Sequence, residues 1–120
     1  MPQYGRRTNK YNVSPADQRR AMGRTWDSKM EMTYALQLEM QKKAGDIIDF
    51  CCQPLVILSG DVHYRPDFKV TTPTETFYVE IKGRETERFK VIKKLWAATQ
   101  KLDLRVATLK AGAFVFYENV

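Results

Sequence analysis

Histidine and cysteine are almost missing from this 120-residue chain, which has one His and two Cys. Cys51 and Cys52 are adjacent and have no third cysteine to pair with, so a disulfide framework is excluded. They fit a reducing compartment and two small buried side chains. With His63 the single histidine, nothing points to a zinc centre either. No apolar run approaches the roughly 18 residues that a membrane helix needs, and the N-terminus lacks the apolar core of a secretory signal. A cytoplasmic protein with no membrane partner is expected. Internal repeats and low-complexity segments are absent too.

What is present is an apolar fraction of 43% in 120 residues, enough for one domain with a real core. The net charge of +6 is unevenly spread. Residues 1–24 carry Arg6, Arg7, Lys10, Arg19, Arg20 and Arg24 against Asp17 alone, which is +5 of the total. With Pro2, Gly5, Pro15 and Gly23 and no sustained apolar period, this segment reads as a flexible basic arm. Its arginines could meet phosphate, and Tyr4 and Tyr11 could stack on bases. A solvated tail with no specific task explains the same residues.

Order is expected from Trp26 onward, giving a domain over residues 25–120. Ser28 and Glu31 have the spacing of a capping box, and Gly45 stands past the end, so a helix is predicted from Ser28 to about Lys43. Trp26, Met30, Tyr34 and Leu38 form one apolar ladder on it. Met32, Leu36 and Met40 form a second on another side, which suggests a further packing surface such as a partner subunit. Gln53–Ser59 reads as a strand, with Gly60-Asp61 as a hairpin turn after it. Val62, Tyr64, Pro66, Phe68 and Val70 alternate with His63, Arg65, Asp67 and Lys69, the period of a half-buried strand. Phe77, Val79 and Ile81 alternate likewise with Tyr78, Glu80 and Lys82. An amphipathic helix is predicted over about 85–102. Phe89, Ile92 and Trp96 lie on its apolar side and Lys90, Lys93, Lys94 and Lys101 on the other. Two further strands, Leu104–Leu109 and Ala113–Tyr117, complete the order α-β-β-β-α-β-β.

The chemistry concentrates where two of these strands meet. A turn centred between Pro73 and Thr74 sets Asp67 opposite Glu80 and Arg65 opposite Lys82, with facing Cβ atoms roughly 5 Å apart. Two carboxylates at that distance repel by roughly 3 kcal/mol at an effective dielectric near 20. A divalent cation would turn the repulsion into a ligand set, and a few hard oxygens with positions left for water suit Mg²⁺. A one-residue slip would put the acids on opposite faces. For Glu31, completing the cap is by itself a sufficient account. The lysine face of the second helix is either a solvated face or a track for phosphates.

Pro66-Asp67 on one strand and Glu80-Ile81-Lys82 on the next, in this element order and with Glu31 on the first helix, resemble the PD-(D/E)xK nuclease superfamily. Together with Trp26–Glu31, Gln53-Pro54, Arg65–Phe68 and Val79–Gly83, they are similar to a family of small, mostly phage-encoded nucleases. That family is related in plan to Holliday junction resolvases of the phage endonuclease I type. The resemblance covers roughly residues 25–117. It implies an α/β fold with a restriction-endonuclease-like αβββαβ core, a mixed sheet flanked by helices, here with one extra C-terminal strand.

It also implies a metal-dependent endonuclease in which Asp67, Glu80, the Ile81 carbonyl and Glu31 hold Mg²⁺, with Mn²⁺ substituting, and in which Glu31, Asp67, Glu80 and Lys82 are catalytic. Arg6, Arg7, Arg19, Arg20, Arg24, Arg65, Lys90 and Lys94 are the expected contacts to nucleic acid. Branched DNA is the expected substrate, a homodimer the expected assembly, and the host cytoplasm the setting if the chain is phage-encoded. A non-catalytic nucleic-acid-binding protein of the same fold fits the same residues. So does a site-specific or mismatch-directed nuclease.

Overall fold

Residues expected to end a loose arm are folded in the computed structural model, which describes residues 15–120. Ala16–Gln18 makes one 3-10 turn, and β1 (Arg20–Ala21) pairs antiparallel with β2 (Arg24–Thr25). The turn between them puts Met22 at φ 52° and Gly23 at φ 77°. Two positive φ values are what a two-residue hairpin turn demands, and glycine meets that demand without a Cβ clash. Trp26 is buried, and its indole N–H donates to the Ala21 carbonyl at 3.1 Å, fastening the hairpin.

Helix α1 (Lys29–Ala44) is closed at both ends by its own sequence. The Glu31 amide donates to the Ser28 hydroxyl at 3.0 Å, as the capping-box spacing predicts. At the other end Gly45 adopts φ 84°. Its amide donates to the Lys42 carbonyl at 3.1 Å and the Asp46 amide to the Gln41 carbonyl at 2.9 Å, the double closure of a Schellman motif. Tyr34, Ala35 and Leu38 are buried, whereas Leu36 and Met40 of the second ladder are 40% and 71% exposed. The boundary between two compact units, Met1–Met40 and Gln41–Val120, falls inside this helix.

The second unit is built on a five-stranded mixed sheet. Its strands are β3 (Asp49–Cys52), β6 (Phe68–Thr71), β7 (Thr76–Ile81), β8 (Leu104–Lys110) and β9 (Ala113–Asn119), adjacent in that order. Only β7 and β8 run parallel, and helix α2 (Glu87–Thr99) makes the crossover between them. The fold is therefore α/β with a mixed sheet, and β9 is the added C-terminal strand.

The expected first strand is displaced. The sheet takes Asp49–Cys52 as β3, an edge strand too short and too polar to show in the apolar pattern. Cys51 is exposed and Cys52 half-buried, not the buried pair expected, because an edge strand covers little. The apolar run after Pro54 instead supplies β4 (Val56–Leu58), which pairs with β5 (Val62–Tyr64) in a separate two-stranded sheet. Their link, Ser59–Asp61, is a 3-10 turn that includes Gly60 at φ 73° and Asp61 at φ 60°. The predicted long strand 62–70 is broken at residues 65–67, where Pro66 has no amide to give to a ladder. Pro66 is fully buried there.

The predicted hairpin register holds: Phe68 pairs with Val79, Lys69 with Tyr78, Val70 with Phe77 and Thr71 with Thr76. The Thr72 hydroxyl closes the turn by accepting from the Thr74 and Glu75 amides at 3.2 and 3.0 Å.

Helix α2 is shorter than expected at both ends. Thr86 caps it, accepting the Phe89 amide at 3.1 Å, so Glu85 lies ahead of the helix, and Gln100 ends it before Lys101. Phe89, Ile92 and Trp96 pack with Val56 and Leu58 of the β4–β5 hairpin and with Leu104 and Val106 of the sheet. Trp96 joins the two. It is 0% exposed, its indole N–H donates to the Leu102 carbonyl at 2.9 Å, and the Tyr64 and Tyr78 rings meet it edge-on at 6.1 and 5.0 Å. No helix among the described residues is long and apolar enough to cross a membrane. Trp96→Ala should cost about 3–5 kcal/mol in urea unfolding. Amide exchange in β4 and β5 should rise more than in β6 and β7.

Candidate metal centre

Carried one step past Phe68 and Val79, the β6–β7 register brings Asp67 against Glu80. These are the two buried polar side chains among the described residues, 8% and 6% exposed. The backbone and two further side chains converge on them. Asp67 Oδ2 accepts the Ile81 amide at 2.7 Å, which ties the break after β5 to the end of β7. The Tyr64 hydroxyl donates to Glu80 Oε1, and Lys82 Nζ lies 3.3 Å from Glu80 Oε2. The Lys82 ammonium also stands over the Phe89 ring, 4.5 Å from its centroid. Alternation along β7 explains the pairing, since Glu80 and Lys82 are two residues apart and share a face.

Burial dominates the electrostatics. It pushes the Glu80 carboxyl above its usual 4.5, and the opposing pull of Lys82, Tyr64 and Asp67 only partly restores the charged form. The Tyr64 phenol is driven upward by burial and by the Glu80 carboxylate beside it, so it stays protonated and keeps donating.

Glu31 belongs to the other compact unit, and its amide, as predicted, joins the helix cap. No group of three or more His, Cys, Asp or Glu side chains among the described residues is placed to hold a metal ion. What the second unit offers is smaller: the Asp67 carboxylate just ahead of β6 and the Glu80 carboxylate on β7, beside the Ile81 backbone. That donor set is hard oxygen throughout and fits Mg²⁺ or Mn²⁺, which keep several waters, better than a softer ion.

The expected phosphate contacts divide. Arg6 and Arg7 lie outside the described residues. Arg19 is occupied within the fold, its Nη1 donating to the Trp26 and Asp27 carbonyls at 2.8 and 3.0 Å. Arg24 is stacked 4.1 Å over Trp26, while Arg20 is exposed on β1. Arg65 Nη1 donates to the Gln53 carbonyl at 2.9 Å. On α2, Lys94 is exposed and Lys90 lies 3.3 Å from Glu87. Lys93 departs from the expected lysine face, because it is held between Glu85 at 2.8 Å and Glu118 at 2.6 Å. The Tyr117 hydroxyl also donates to Glu85, at 2.7 Å. The α2 track is thus reduced to Lys90 and Lys94.

Tyr64 is the residue that sequence reasoning missed. Strict alternation through residues 62–70 sets Tyr64 and Asp67 on opposite faces. The break at Arg65-Pro66-Asp67 resets the phase, so both reach Glu80. Proline inside an otherwise regular strand pattern was the available signal.

Because the Glu80 carboxyl is raised in the fold, its protonated form adds stability that is complete below pH 4.5 and lost as pH rises through the higher folded value. Glu85, held low first by Lys93 and then by Tyr117, and Asp49, held low by Lys42 and the Phe50 amide, act oppositely. Their stabilisation is lost as pH falls. The Tm of wild type relative to Glu80→Gln should therefore decline from acid toward neutral pH in chelator, with the other carboxylates cancelling in the difference. A pH-independent difference in calorimetry would contradict the raised carboxyl.

No curated protein and no solved structure matches the chain. One family does match, over residues 8–113, which takes in nearly all of the described fold and both carboxylates. The chain belongs to that family, which is described as protein of unknown function (DUF1064).

Proposed function

We propose that this protein is a Mg²⁺-dependent DNA endonuclease of the PD-(D/E)xK type, acting in the cytoplasm on branched DNA as a homodimer. The observation that supports this best is the buried pair Asp67, just ahead of β6, and Glu80 on β7, with Lys82 on the same face as Glu80. Asp67, Glu80 and the Ile81 carbonyl would hold the cation. A bound divalent cation supplies Lewis acidity to the scissile phosphate and lowers the pKa of a bound water.

The chain's own groups do the rest. Lys82, whose ammonium contacts Glu80, orients the attacking water or meets the charge that gathers on the phosphoryl oxygens. The water oxygen bonds to phosphorus as the bond to the departing sugar oxygen breaks, and that oxygen takes up a proton. Arg65, Lys90 and Lys94 are the candidate phosphate contacts within the second unit, and the basic residues before Trp26 add a salt-sensitive contribution. Exposed Leu36 and Met40 on α1, and Val115 and Phe116 on β9, support an assembly of two chains. The concentration of charge before residue 25 favours, as a second reading, a binding protein that cuts nothing.

A panel of labelled duplex, junction, flap and single-stranded DNA with and without Mg²⁺ separates the two. Junction cleavage that requires the ion is expected. Salt-sensitive binding without any cutting would leave the second reading. Asp67→Ala should abolish cleavage while DNA binding persists or tightens. Lys82→Ala should lower kcat by about 100-fold or more.

A further inference from the structure

The β4–β5 hairpin is not part of the main sheet, yet its last residue touches the centre. Val56, Leu58, Val62 and Tyr64 lie against α2, where the Tyr64 ring is 6.1 Å from Trp96 and 6.5 Å from Phe89. Arg88 holds the same hairpin from α2 by donating to the His63 carbonyl at 3.3 Å. Arg65, one residue on, is tied to the Gln53 carbonyl at 2.9 Å. The ring is thus fixed from several sides, and its hydroxyl donates to Glu80 Oε1 while Lys82 contacts Oε2. Both oxygens of one carboxylate are thereby held by groups from different elements. A phenylalanine would fill the same space against Trp96 and Phe89, so packing alone does not call for the hydroxyl.

We propose that Tyr64 is a positioning residue: the hairpin carries its hydroxyl to the Glu80 carboxylate and holds that carboxylate in the orientation in which it receives a divalent cation. This rests on the metal-centre reading given above. Tyr64 itself meets neither the cation nor the phosphate. It stops the glutamate from turning, as partners behind a metal ligand generally do.

The test is Mn²⁺ binding to the full chain without DNA, followed by electron paramagnetic resonance, for wild type, Tyr64→Phe and Val62→Ala. The valine variant loosens the same hairpin without touching the carboxylate. Tyr64→Phe is expected to weaken Mn²⁺ binding by about 10–100-fold, and Val62→Ala by less than about twofold. In cleavage at limiting Mn²⁺, Tyr64→Phe should lower kcat, leave the KM for DNA unchanged, and recover when Mn²⁺ is raised. Equal Mn²⁺ affinity in wild type and Tyr64→Phe overturns the proposal, as does an equal loss in Val62→Ala, which would reduce the hairpin to scaffold. Wild type that binds no Mn²⁺ overturns both this proposal and the metal-centre reading. Tyr64-dependent Mn²⁺ binding in a protein that cuts no DNA upholds the proposal and overturns only the nuclease.

Discussion

Two carboxylates facing each other out of water are the constraint on which the second unit turns. At roughly 5 Å their repulsion is about 3 kcal/mol even at an effective dielectric of 20, and burial adds to it. The structure meets that cost with donors from separate places: the Ile81 amide on Asp67, and the Tyr64 hydroxyl and Lys82 ammonium on Glu80. It also holds the Glu80 carboxyl toward its neutral form. None of this is needed for a stable hairpin, which an apolar pair at the same positions would serve better.

A second glutamate in the same cross-strand row makes the contrast plain. Glu80 pairs with Val106 on β8, which pairs with Glu118 on β9. Glu118 has Lys93 at 2.6 Å, and Glu85 lies 2.8 Å from the same lysine, so one cation serves two carboxylates. Glu80 likewise has one lysine, Lys82 at 3.3 Å, with an acid opposite it and a hydroxyl beside it. Both clusters have two carboxylates and one lysine, but Glu118 at the sheet edge is open to water whereas Glu80 at the centre is buried. On the proposed reading a cation relieves this pair, and the packing around Trp96 then serves it. It presses the β4–β5 hairpin onto α2, and the hairpin ends in Tyr64.

Much of this was legible before any coordinates. Pro73-Thr74 set the β6–β7 register, and the register alone put Asp67 opposite Glu80. Ser28 and Gly45 marked the ends of α1, and period-two alternation put Glu80 and Lys82 on one face. These succeed because each rests on local stereochemistry: a cap, a turn, a two-residue repeat. The failures are equally physical. Asp49–Cys52 gave no apolar signal because an edge strand is held by backbone hydrogen bonds rather than side-chain burial. Residues 16–25 looked loose because two-residue strands carry no period, and only the positive φ at Met22 and Gly23 betrays the turn.

By itself the sequence determined which residues are acids on facing strands, how far apart in register they stand, and where the helices start. All of that is encoded within a few residues of each position. Only the tertiary structure decided that the break at Pro66 returns Tyr64 to Glu80, that Lys93 is held between Glu85 and Glu118, and that Arg19 serves the fold rather than the surface. Each of these depends on where distant side chains end up, and alternation along one strand carries no information about that.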